Sequence, residues 1–557
     1  MKNVLILKDT DFNSLQNKLE SKFGLYEKDM HIINFSDFYT SRLEQLRFIR
    51  SLKAENFFLG VYKKKYIKWS IIFYLFLFLT NSKKKYIIDS NNHSERVTSF
   101  VLFKIIFKSI LSFTIQVLYL FKIIFISTKK YEKSKFKFKK LKDINSLTGI
   151  YLRTNDSYNL RSGGSLGHTL GVIEGLQSNC NDVIYFGNDK INGIHDDVNQ
   201  IIVEPSEFFN IVNFTNRTIY SEVFSKEVIS KLNTIKSDFI YQRLSRDDIS
   251  GAIISRTLRI PLIVEYNSSM EWELKNSPLF IEKILLYFTN KLEKIMLNQS
   301  SIIVVVSQVL KDELLSKGFE ESKIIVVPNG VDTKKFISNS DNDLYKKLNL
   351  SKNKITIGFS GTFGFWHGVD TLEQSIKLVN DTKKINCQFL LIGDGFYRKQ
   401  MQNSLKKFSN VTFTKNIPYL EIVNYLSLCQ IYISPHSLKK EKTFIGSPTK
   451  LFEYMSMSKI IIASDLNQIS DIVNPSLKVK SINNEYMIES SDKESVGITF
   501  NQGDEKQLAY AIKYAVKNLD KINYLGINAR KKAIDNYQWN RLTKLILTKV
   551  IQNNNFK

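Results

Sequence analysis

The chain has 557 residues, of which 79 are basic and 54 acidic, so its formal net charge is +25 at pH 7. This length exceeds one hydrophobic core and predicts roughly two to four domains. With 23 glycines, 8 prolines and 43% hydrophobic residues, a long disordered or repetitive chain is excluded. The three cysteines are far apart, which excludes a disulfide framework or a metal-binding spacing and is consistent with a reducing compartment.

The first 95 residues contain short apolar segments that predict buried strands, at 3–7, 31–34, 57–62 and 86–89. Helical stretches separate these segments, which predicts a small additional α/β unit over 1–95. The stretch 69–80 is apolar on all sides and too short to span a bilayer, so we expect a buried helix there.

A longer apolar segment at 99–127 contains Lys104, Lys108 and Lys122. Its longest uncharged run has 13 residues, fewer than the ~20 that a spanning helix needs. Because lysine side chains can reach water from a shallow depth, the segment predicts a helix in the membrane plane or inserted shallowly. The next stretch, 129–142, holds eight lysines and one glutamate and favours an anionic leaflet. We therefore expect a membrane-associated helix and polybasic linker over 96–145; the alternative is a buried helix and a solvated linker.

From residue 146 the pattern becomes regular, with apolar, β-branched segments that alternate with helices. The predicted strands include 183–187, 238–243, 261–267 and 301–307 in a first series, and 354–363, 388–395, 411–417, 431–435 and 459–464 in a second. The polar stretch 337–353 is the predicted join. Two parallel sheets wound with helices leave a cleft between the carboxyl ends of their strands, where ligands of such sheets bind.

Ordered motifs run through this region. They are VPNGVDTKKF at 327–336, GFSGTFGFWHGVD at 358–370, LLIGDGFYRKQM at 390–401, NIPYLEIVNYLSLCQIYISP at 416–435, GSPTKLFEYMSMSKIIIAS at 446–464 and the terminal YQWNRLTKLIL. In this order they resemble the family 4 (group 1) glycosyltransferases of the GT-B fold, over about 146–557.

The resemblance implies an α/β, GT-B architecture of two doubly wound Rossmann-like domains that face a cleft. It implies an acceptor-side domain at 146–345, a nucleotide-sugar donor domain at 346–530 and a C-terminal helix at 531–557 that returns to the first of them. It also implies transfer of a sugar from a nucleotide-sugar donor, with retention at the anomeric carbon.

In GSPTKLFEYMS, Ser447 and Pro448 predict a helix start, yet Lys450 places a cation in the first turn. The helix dipole disfavours a cation there. A bound diphosphate would offset this effect by meeting both the ammonium and the free backbone N–H groups. In similar enzymes the glutamate at the position of Glu453 binds the ribose diol; the alternative is a surface Lys450–Glu453 pair.

Two departures from the family pattern concern the donor site. The acid that the family commonly has eight positions before the conserved glutamate is Ile445 here, so Glu441 and His436 are candidates for its sugar contact. Where family members often have Arg and Lys for phosphate, this chain has Thr362 and His367. The lower fixed charge makes backbone N–H groups and the first-turn lysine more important.

In the N-terminal half, GGSLGH places Gly163 and Gly164 between a strand and a helix start, where missing side chains allow close approach. In similar enzymes this loop lies against the leaving diphosphate and the acceptor. His168 follows one turn later, a position more often packed or capping than catalytic. Arg243 and Glu265 each end a predicted strand. Glu265 is a candidate for contact with the transferred sugar or the acceptor hydroxyl; the alternative is a carboxylate bonded to local backbone or to Arg243.

These considerations define the predicted site. The predicted catalytic residues are Lys450, Glu453, Glu265 and His168. The predicted donor-binding residues are Gly361, Thr362, Phe363, Gly364, His367, Gly393, Ile417, Ser447, Pro448, Thr449, Lys450, Leu451 and Glu453. The predicted acceptor and diphosphate loop contains Gly163, Gly164, Ser165 and Arg243. The acidic triplets at 9–11 and 341–343 are interpreted as solvated loops, and we expect no metal and no cofactor.

We therefore expect a retaining, hexosyltransferase-like glycosyltransferase with a lipid-linked or surface-polysaccharide acceptor. It would be peripheral or monotopic at the cytoplasmic face of the plasma membrane, and its partners would be the donor, the acceptor and the membrane surface. The alternatives are a nucleotide-sugar epimerase of the same fold and a non-catalytic membrane-docked subunit of a polysaccharide assembly complex. Nucleic acid is not expected as a partner, because the basic charge is concentrated beside a hydrophobic segment.

Overall fold

The structure is a computed structural model of the chain. It describes residues 2–8, 10–34, 51, 53–122, 138, 140–141, 143–155, 158–212, 216–270, 274, 286–339, 342–382, 385–438, 443–483, 485–489 and 493–555. Asp9, Asp341, Glu441, residues 123–127 and most of the polybasic stretch, for which predictions were made above, lie outside the described residues.

The N-terminal unit contains a five-stranded sheet in the order β2–β1–β3–β4–β5, parallel except for the last pair. Its strands are β1 (Asn3–Lys8), β2 (His31–Asn34), β3 (Lys53–Val61), β4 (Asn81–Asp89) and β5 (Ser94–Arg96). Its helices are α1 (Asn13–Phe23), α2 (Ser70–Phe78) and the long α3 (Ser99–Lys122). Apolar residues of the central strands are buried on both faces of the sheet, as expected for a doubly wound parallel sheet.

The prediction of a fully buried helix at 69–80 is wrong. Helix α2 buries Tyr74 and Leu77, but Ile72, Leu75 and Phe78 on its other side are exposed. Because the helix is apolar on all sides, its composition cannot indicate that only one side is covered by protein.

The second sheet has seven parallel strands in the order β12–β11–β10–β9–β6–β7–β8. Its strands are β6 (Thr148–Arg153), β7 (Asp182–Gly187), β8 (Gln200–Ile202), β9 (Phe239–Arg243), β10 (Leu262–Tyr266), β11 (Ile302–Val305) and β12 (Ile324–Val326). The helices of this region are α4 (Gly164–Gln177), α5 (Glu207–Asn210), α6 (Asn216–Leu232), α7 (Ser250–Leu258), α8 (Leu286–Gln299) and α9 (Gln308–Ser316). The strand order reverses between β6 and β9, which defines the ligand-binding edge of such a sheet.

The third sheet has eight strands in the order β15–β14–β13–β16–β17–β20–β18–β19. Its strands are β13 (Ile355–Ser360), β14 (Cys387–Ile392), β15 (Val411–Phe413), β16 (Ile431–Ser434), β17 (Ile460–Asp465), β18 (Leu477–Ile482), β19 (Glu485–Ile488) and β20 (Ile498–Asn501). Its helices are α10 (Asn342–Lys347), α11 (Val369–Asn380), α12 (Arg398–Ser404), α13 (Ile422–Leu426), α14 (Thr449–Ser456), α15 (Asn467–Val473), α16 (Glu505–Lys517) and α17 (Tyr524–Asn536). The order reverses between β13 and β16, again at the edge that faces the cleft.

The last helix, α18 (Trp539–Asn555), crosses back and packs on α4 of the second sheet's domain. A side chain at Gly171 would collide with the Trp539 ring, so this glycine allows the two helices to approach closely. Trp539, Leu542 and Val550 complete a core cluster with residues of β6 and α4.

Candidate active site

A cavity of about 770 Å³ lies between the two Rossmann-like domains, at the carboxyl ends of β6 and β13. Its walls come from both domains. The loop after β6 and the start of α4 form one side, and the loops after β13, β14 and β16 with the start of α14 form the other. The positions at which the strand order of each sheet reverses thus face one shared cavity. This is the arrangement expected of a ligand site between two doubly wound sheets.

Two helices begin at this cavity, and neither is capped by a side chain. Helix α4 follows Gly163, which has a φ of 92°, and α14 follows Pro448. The two starts are close, because a Cβ at Gly164 would lie 3.0 Å from Oγ1 of Thr449. Helix starts carry uncompensated N–H groups and a partial positive charge, so this pair favours an anion between them.

Lys450, in the first turn of α14, adds a cation to this region. Its Nζ is buried, has no hydrogen-bond partner among the described residues, and lies 4.5 Å from the centroid of the Phe359 ring. Burial lowers the pKa of Lys450 to about 7, and the charge of Glu453 offsets only part of this effect. A buried ammonium without an acceptor is costly, so the site is organised for an anionic ligand that would supply one.

Glycines give Lys450 the room it occupies. A Cβ at Gly361, whose φ is 147°, would lie 2.5 Å from the lysine Nζ. A Cβ at Gly393, with a φ of 126°, would collide with the carbonyl oxygen of Gly361. The loops that follow β13 and β14 can therefore approach each other and the lysine only because both residues lack side chains.

The two histidines of the cavity wall are held in the neutral state. Burial, and then the charge of Lys450, lower the pKa of His367 to about 3. The pKa of His436 is lowered by the same causes and by His367, whose ring centroid is 5.0 Å away. Nδ1 of His367 donates to the Thr362 carbonyl oxygen, so Nε2 of the neutral ring is an acceptor. The residues that replace the family's Arg and Lys therefore add no positive charge to the unliganded site.

Glu453 lies one turn deeper and also lines the cavity. Burial raises its pKa to about 7, while Lys335, Lys450 and a hydrogen bond from Tyr419 act in the opposite direction. Tyr419 links both domains at this point: its backbone N–H donates to the Arg161 carbonyl at 2.8 Å, and its ring lies where a side chain at Gly167 would be.

Helix α14 begins one residue later than the sequence indicates. Ser447 does not cap it, because its hydroxyl accepts the Asn329 N–H at 3.0 Å. The Asn329 side chain also donates to the Ser447 carbonyl oxygen. The VPNG turn after β12, in the domain of the second sheet, therefore fixes the position of the α14 start.

Glu265 and His168 lie behind the cavity wall rather than in it. His168 Nε2 is 2.8 Å from Oε1 of Glu265, and both side chains are buried. Burial alone would raise the pKa of Glu265, but the charge and hydrogen bond of His168, then Arg243 and Tyr241, lower it to about 2. The carboxylate is thus already saturated by protein partners, which leaves it no free face toward a sugar.

Asn267 carries this buried network to the cavity. Its amide nitrogen donates to Oε1 of Glu265, and its buried Oδ1 has no partner among the residues that the structure describes. The residue lines the cavity, so a fixed acceptor oxygen is offered to a ligand hydroxyl there. Arg243 and Ser165 are bonded to each other at 2.9 Å beside the α4 start.

The structure brings most predicted site residues to one cavity. Those that line it are Gly163, Gly164, Gly361, Thr362, His367, Gly393, Ile417, Ser447, Pro448, Thr449, Lys450 and Glu453. Those that are not in its wall are Phe363, Gly364, Leu451, Ser165, His168, Arg243 and Glu265. Phe363 and Leu451 are buried core residues, because they belong to the inward faces of their loop and helix.

Sequence reasoning missed several residues of the wall. They include Asn267, Ser268, Trp366, Asp394, Asn416, Tyr419 and Phe444. Asn267 could have been found, since it ends the predicted strand 261–267 and strand ends converge at this edge. Tyr419 carries no comparable signal, because its role depends on contact with the other domain.

Comparison with known families supports this interpretation of the cavity. Residues 162–335 match the family model Glycosyltransferase Family 4, and residues 354–518 match Glycosyl transferases group 1. None of the curated proteins matches the chain by sequence.

Solved structures resemble the two Rossmann-like domains. A glycosyltransferase from Rickettsia africae ESF-5 is 17% identical with a TM-score of 0.53, covering 73% of this chain and 99% of its own. HepE of Anabaena in complex with UDP-glucose is 14% identical with a TM-score of 0.51, and the match covers 73% of this chain and 100% of HepE. The catalytic domain of Starch Synthase IV from Arabidopsis thaliana, bound to ADP and acarbose, is 14% identical with a TM-score of 0.54. The match covers 74% of this chain and 100% of that domain. At these identities the similarity establishes the fold. The predicted GT-B architecture is confirmed, and the chain belongs to the family 4, group 1 glycosyltransferases.

Proposed function

We propose that this glycosyltransferase is a retaining, hexosyltransferase-like enzyme that transfers a sugar from a nucleoside diphosphate sugar to a lipid-linked or polysaccharide acceptor. One observation carries the donor assignment: a buried lysine ammonium without a hydrogen-bond acceptor lies where two uncapped helix starts converge. Among common ligands, a diphosphate supplies the negative charge and the several acceptor oxygens that this arrangement lacks.

The same groups would act on the reaction. As the bond between the anomeric carbon and the phosphate oxygen breaks, negative charge grows on the leaving diphosphate. Lys450 and the N–H groups at the starts of α4 and α14 would stabilise that charge, because they are already positioned around the cavity. They gain strength as the charge develops, so they lower the barrier rather than merely tightening binding.

Retention follows from a front-face route. The carboxylates in the described part of the cavity wall are Glu453 and Asp394. Asp394 is bonded to Arg398 and to the Gly395 N–H, and Glu453 is assigned to the ribose diol. The departing phosphate oxygen instead takes the proton of the acceptor hydroxyl, whose oxygen bonds to the anomeric carbon from the side that the phosphate leaves.

The remaining donor contacts follow from the cavity walls. Glu453 would accept two hydrogen bonds from the ribose hydroxyls in addition to the one that Tyr419 donates. The backbone around Ile417 borders the same end of the cavity and would contact the base. On the acceptor side, Asn267 would bind a hydroxyl of the transferred sugar or of the acceptor.

The proposed location is the cytoplasmic face of the plasma membrane. Cys180, Cys387 and Cys429 are free thiols, which supports a reducing compartment. The apolar outer face of α3 and the basic stretch after it support contact with an anionic leaflet. A lipid-linked or surface-polysaccharide acceptor fits that location.

A donor panel tests the proposal. The purified full chain is incubated with UDP-, ADP- and GDP-sugars and extracted membrane lipids, and products are identified by mass spectrometry, with the anomeric configuration read by NMR. We expect transfer from one nucleotide class with retention, lost in Lys450→Gln and kept in Lys506→Gln, an exposed lysine of the same domain. Nucleoside diphosphate binding without any transfer would contradict the enzymatic function, and an inverted product would contradict the front-face route.

A further inference from the structure

Helix α3 has its polar and apolar faces reversed relative to a surface helix in water. Its buried residues include Ser109, Ser112 and Gln116, spaced along the stripe that faces the protein. The Ser112 hydroxyl donates to the Phe208 carbonyl at 2.9 Å, and the Gln116 amide donates to Ser112 Oγ at 3.1 Å and to the Val212 carbonyl. These three polar side chains therefore form their hydrogen bonds inside the protein.

The opposite face of α3 is large and apolar, and its side chains are exposed. Its exposed residues are Phe100, Phe103, Ile106, Phe107, Ile110, Leu111, Phe113, Ile115, Leu118 and Phe121. Phe100 and Phe103 are 76% and 71% exposed, whereas Ser112 and Gln116 are 0% exposed. Apolar side chains that stay in water gain none of the free energy of burial, so a continuous patch of this kind indicates a binding surface.

Helix α2 extends this surface. It packs beside α3, and the inward residues of both helices, such as Tyr74 and Ile105, share one core cluster. The outward residues Ile72, Leu75 and Phe78 remain exposed. Two neighbouring helices, rather than α3 alone, therefore present apolar side chains to the outside.

Charge identifies the occupant as a lipid bilayer rather than a protein. Lys104 and Lys108 are exposed among the apolar residues of α3, whose sequence contains no acidic residue. Lysine is depleted in the cores of protein interfaces, whereas its flexible stem can lie in the apolar zone of a bilayer while the ammonium reaches anionic headgroups. Lys85 donates to the Phe78 carbonyl oxygen and places another cation at the end of α2.

The packing of α3 also decides how it meets the bilayer. By length and composition the helix could cross a membrane. Its protein-facing side, however, is in contact from Leu102 to Leu120, which is about 27 Å of helix. A crossing helix would draw the folded domains beside it into a hydrocarbon core of about 30 Å, where their polar surfaces cannot be solvated.

We propose that α2 and α3 form one monotopic membrane face, with α3 lying along the surface of an anionic bilayer and its outward residues embedded. Helix α3 packs on α5 and α6, so the face belongs to the acceptor-side domain. The donor-side domain then stays free to move against a fixed partner. The membrane contact stands by itself; that it presents a lipid-linked acceptor rests on the proposed function.

Vesicle flotation of the full chain tests the contact. We expect at least tenfold stronger binding to phosphatidylcholine vesicles with 30% phosphatidylglycerol than to pure phosphatidylcholine. The triple variant Phe103→Ser, Phe107→Ser, Ile110→Ser should lose at least tenfold, and Ile72→Ser with Leu75→Ser about threefold. The matched control, Ile527→Ser on the exposed side of α17, should bind like the parent. UDP binding and melting temperature, measured in parallel, should be unchanged, which separates this test from that of the proposed function.

Orientation is tested in a chain with Cys180→Ser, by attaching an environment-sensitive fluorophore through Phe100→Cys or Phe121→Cys. An in-plane helix predicts equal depth for both labels on vesicles, and both should be reached by a quencher added outside. Labels in opposite compartments would overturn the in-plane arrangement. Unimpaired flotation of the triple variant, or self-association without vesicle binding, would overturn the membrane face.

Discussion

The two helices that begin at the cleft differ in what they bring to it. Helix α14 carries Lys450 in its first turn and Glu453 one turn deeper, whereas α4 begins with Gly164 and Ser165 and has no charge in its first turn. The domain of the third sheet thus supplies charge to the cleft, and the domain of the second sheet supplies backbone N–H groups and space. We infer that nucleotide affinity follows α14 and that the rate of transfer follows the fit at α4.

The largest effect is expected for the charge on α14. In Lys450→Gln the affinity for UDP should fall about 100-fold, because truncating a buried charged partner typically costs ~2–5 kcal/mol. Isothermal titration calorimetry measures it, with Lys506→Gln as the control. A decrease of less than threefold would show that the N–H groups bind the diphosphate without the lysine.

A change at the start of α4 should lower the rate of transfer more than the affinity for UDP. Gly164→Val adds a branched side chain where even a Cβ would lie 3.0 Å from Thr449 Oγ1. We expect kcat/KM to fall about 10- to 30-fold, while UDP affinity changes less than threefold, because the helix starts separate but the lysine stays. Gly164→Ala combined with Thr449→Ala is the control, and its activity should exceed that of Gly164→Ala alone.

The Oδ1 of Asn267, unpaired among the described residues, tests what the domain of the second sheet contributes to the rate of transfer. Asn267→Ala should lower kcat/KM about tenfold and leave UDP affinity unchanged, since the lost contact is with the sugar or acceptor. Glu265→Gln should in addition lower the melting temperature, because it removes the buried carboxylate that His168 Nε2, Tyr241 and Asn267 contact. If Glu265→Gln lowered activity with no loss of stability while Asn267→Ala stayed active, Glu265 itself would be the contacting group.

The pH dependence of UDP binding reports the charge on α14. Lys450 has a pKa of about 7 in the unliganded protein, and a bound diphosphate would raise it. The contribution of the ammonium is therefore fully present below pH 7 and is lost as the pH rises, by about fivefold between pH 7 and 8. Calorimetry in buffers of different ionisation enthalpy should show proton uptake at pH 8. Lys450→Gln should lose this slope, and Glu453→Gln should move it to lower pH, because the charge of Glu453 raises the pKa of Lys450.

The smallest effect is expected at the contact between the domains. Tyr419→Phe removes the hydroxyl that donates to Glu453 but keeps the ring that packs at Gly167. We expect the donor KM to rise about two- to threefold, because Glu453 loses a partner that favours its ionised form. Steady-state kinetics beside Tyr510→Phe, a tyrosine distant from the cavity in α16, check this. A tenfold loss of kcat would assign the hydroxyl a direct role in transfer.

The sequence was sufficient for the fold and for most of the cavity wall that the domain of the third sheet contributes. Central strands such as β13 and β17 are apolar and β-branched, and the motifs around Gly361 and Lys450 sit at their ends. The strands β18 and β19 were missed because neither is a continuous apolar segment: in β18, Lys478 and Lys480 alternate with the buried Leu477 and Val479, and β19 begins with Glu485. Two differences from the sequence predictions have one cause: the half-exposed helix at 69–80, and the position of Glu265 and His168 behind the cavity wall. Composition does not say what covers α2, nor that His168 folds back onto Glu265, because both depend on contacts distant in sequence.

The return of α18 to the first of the two GT-B domains has a consequence for biosynthesis. Trp539 and Val550 of α18 belong to a core cluster whose buried residues outside α18 lie within 141–327, yet they leave the ribosome after the domain of the third sheet. The earlier domain therefore cannot finish its core while the later one is being translated. A nascent chain stopped before residue 539 should expose an incomplete apolar groove along α4, a natural substrate for chaperones until α18 emerges and packs there.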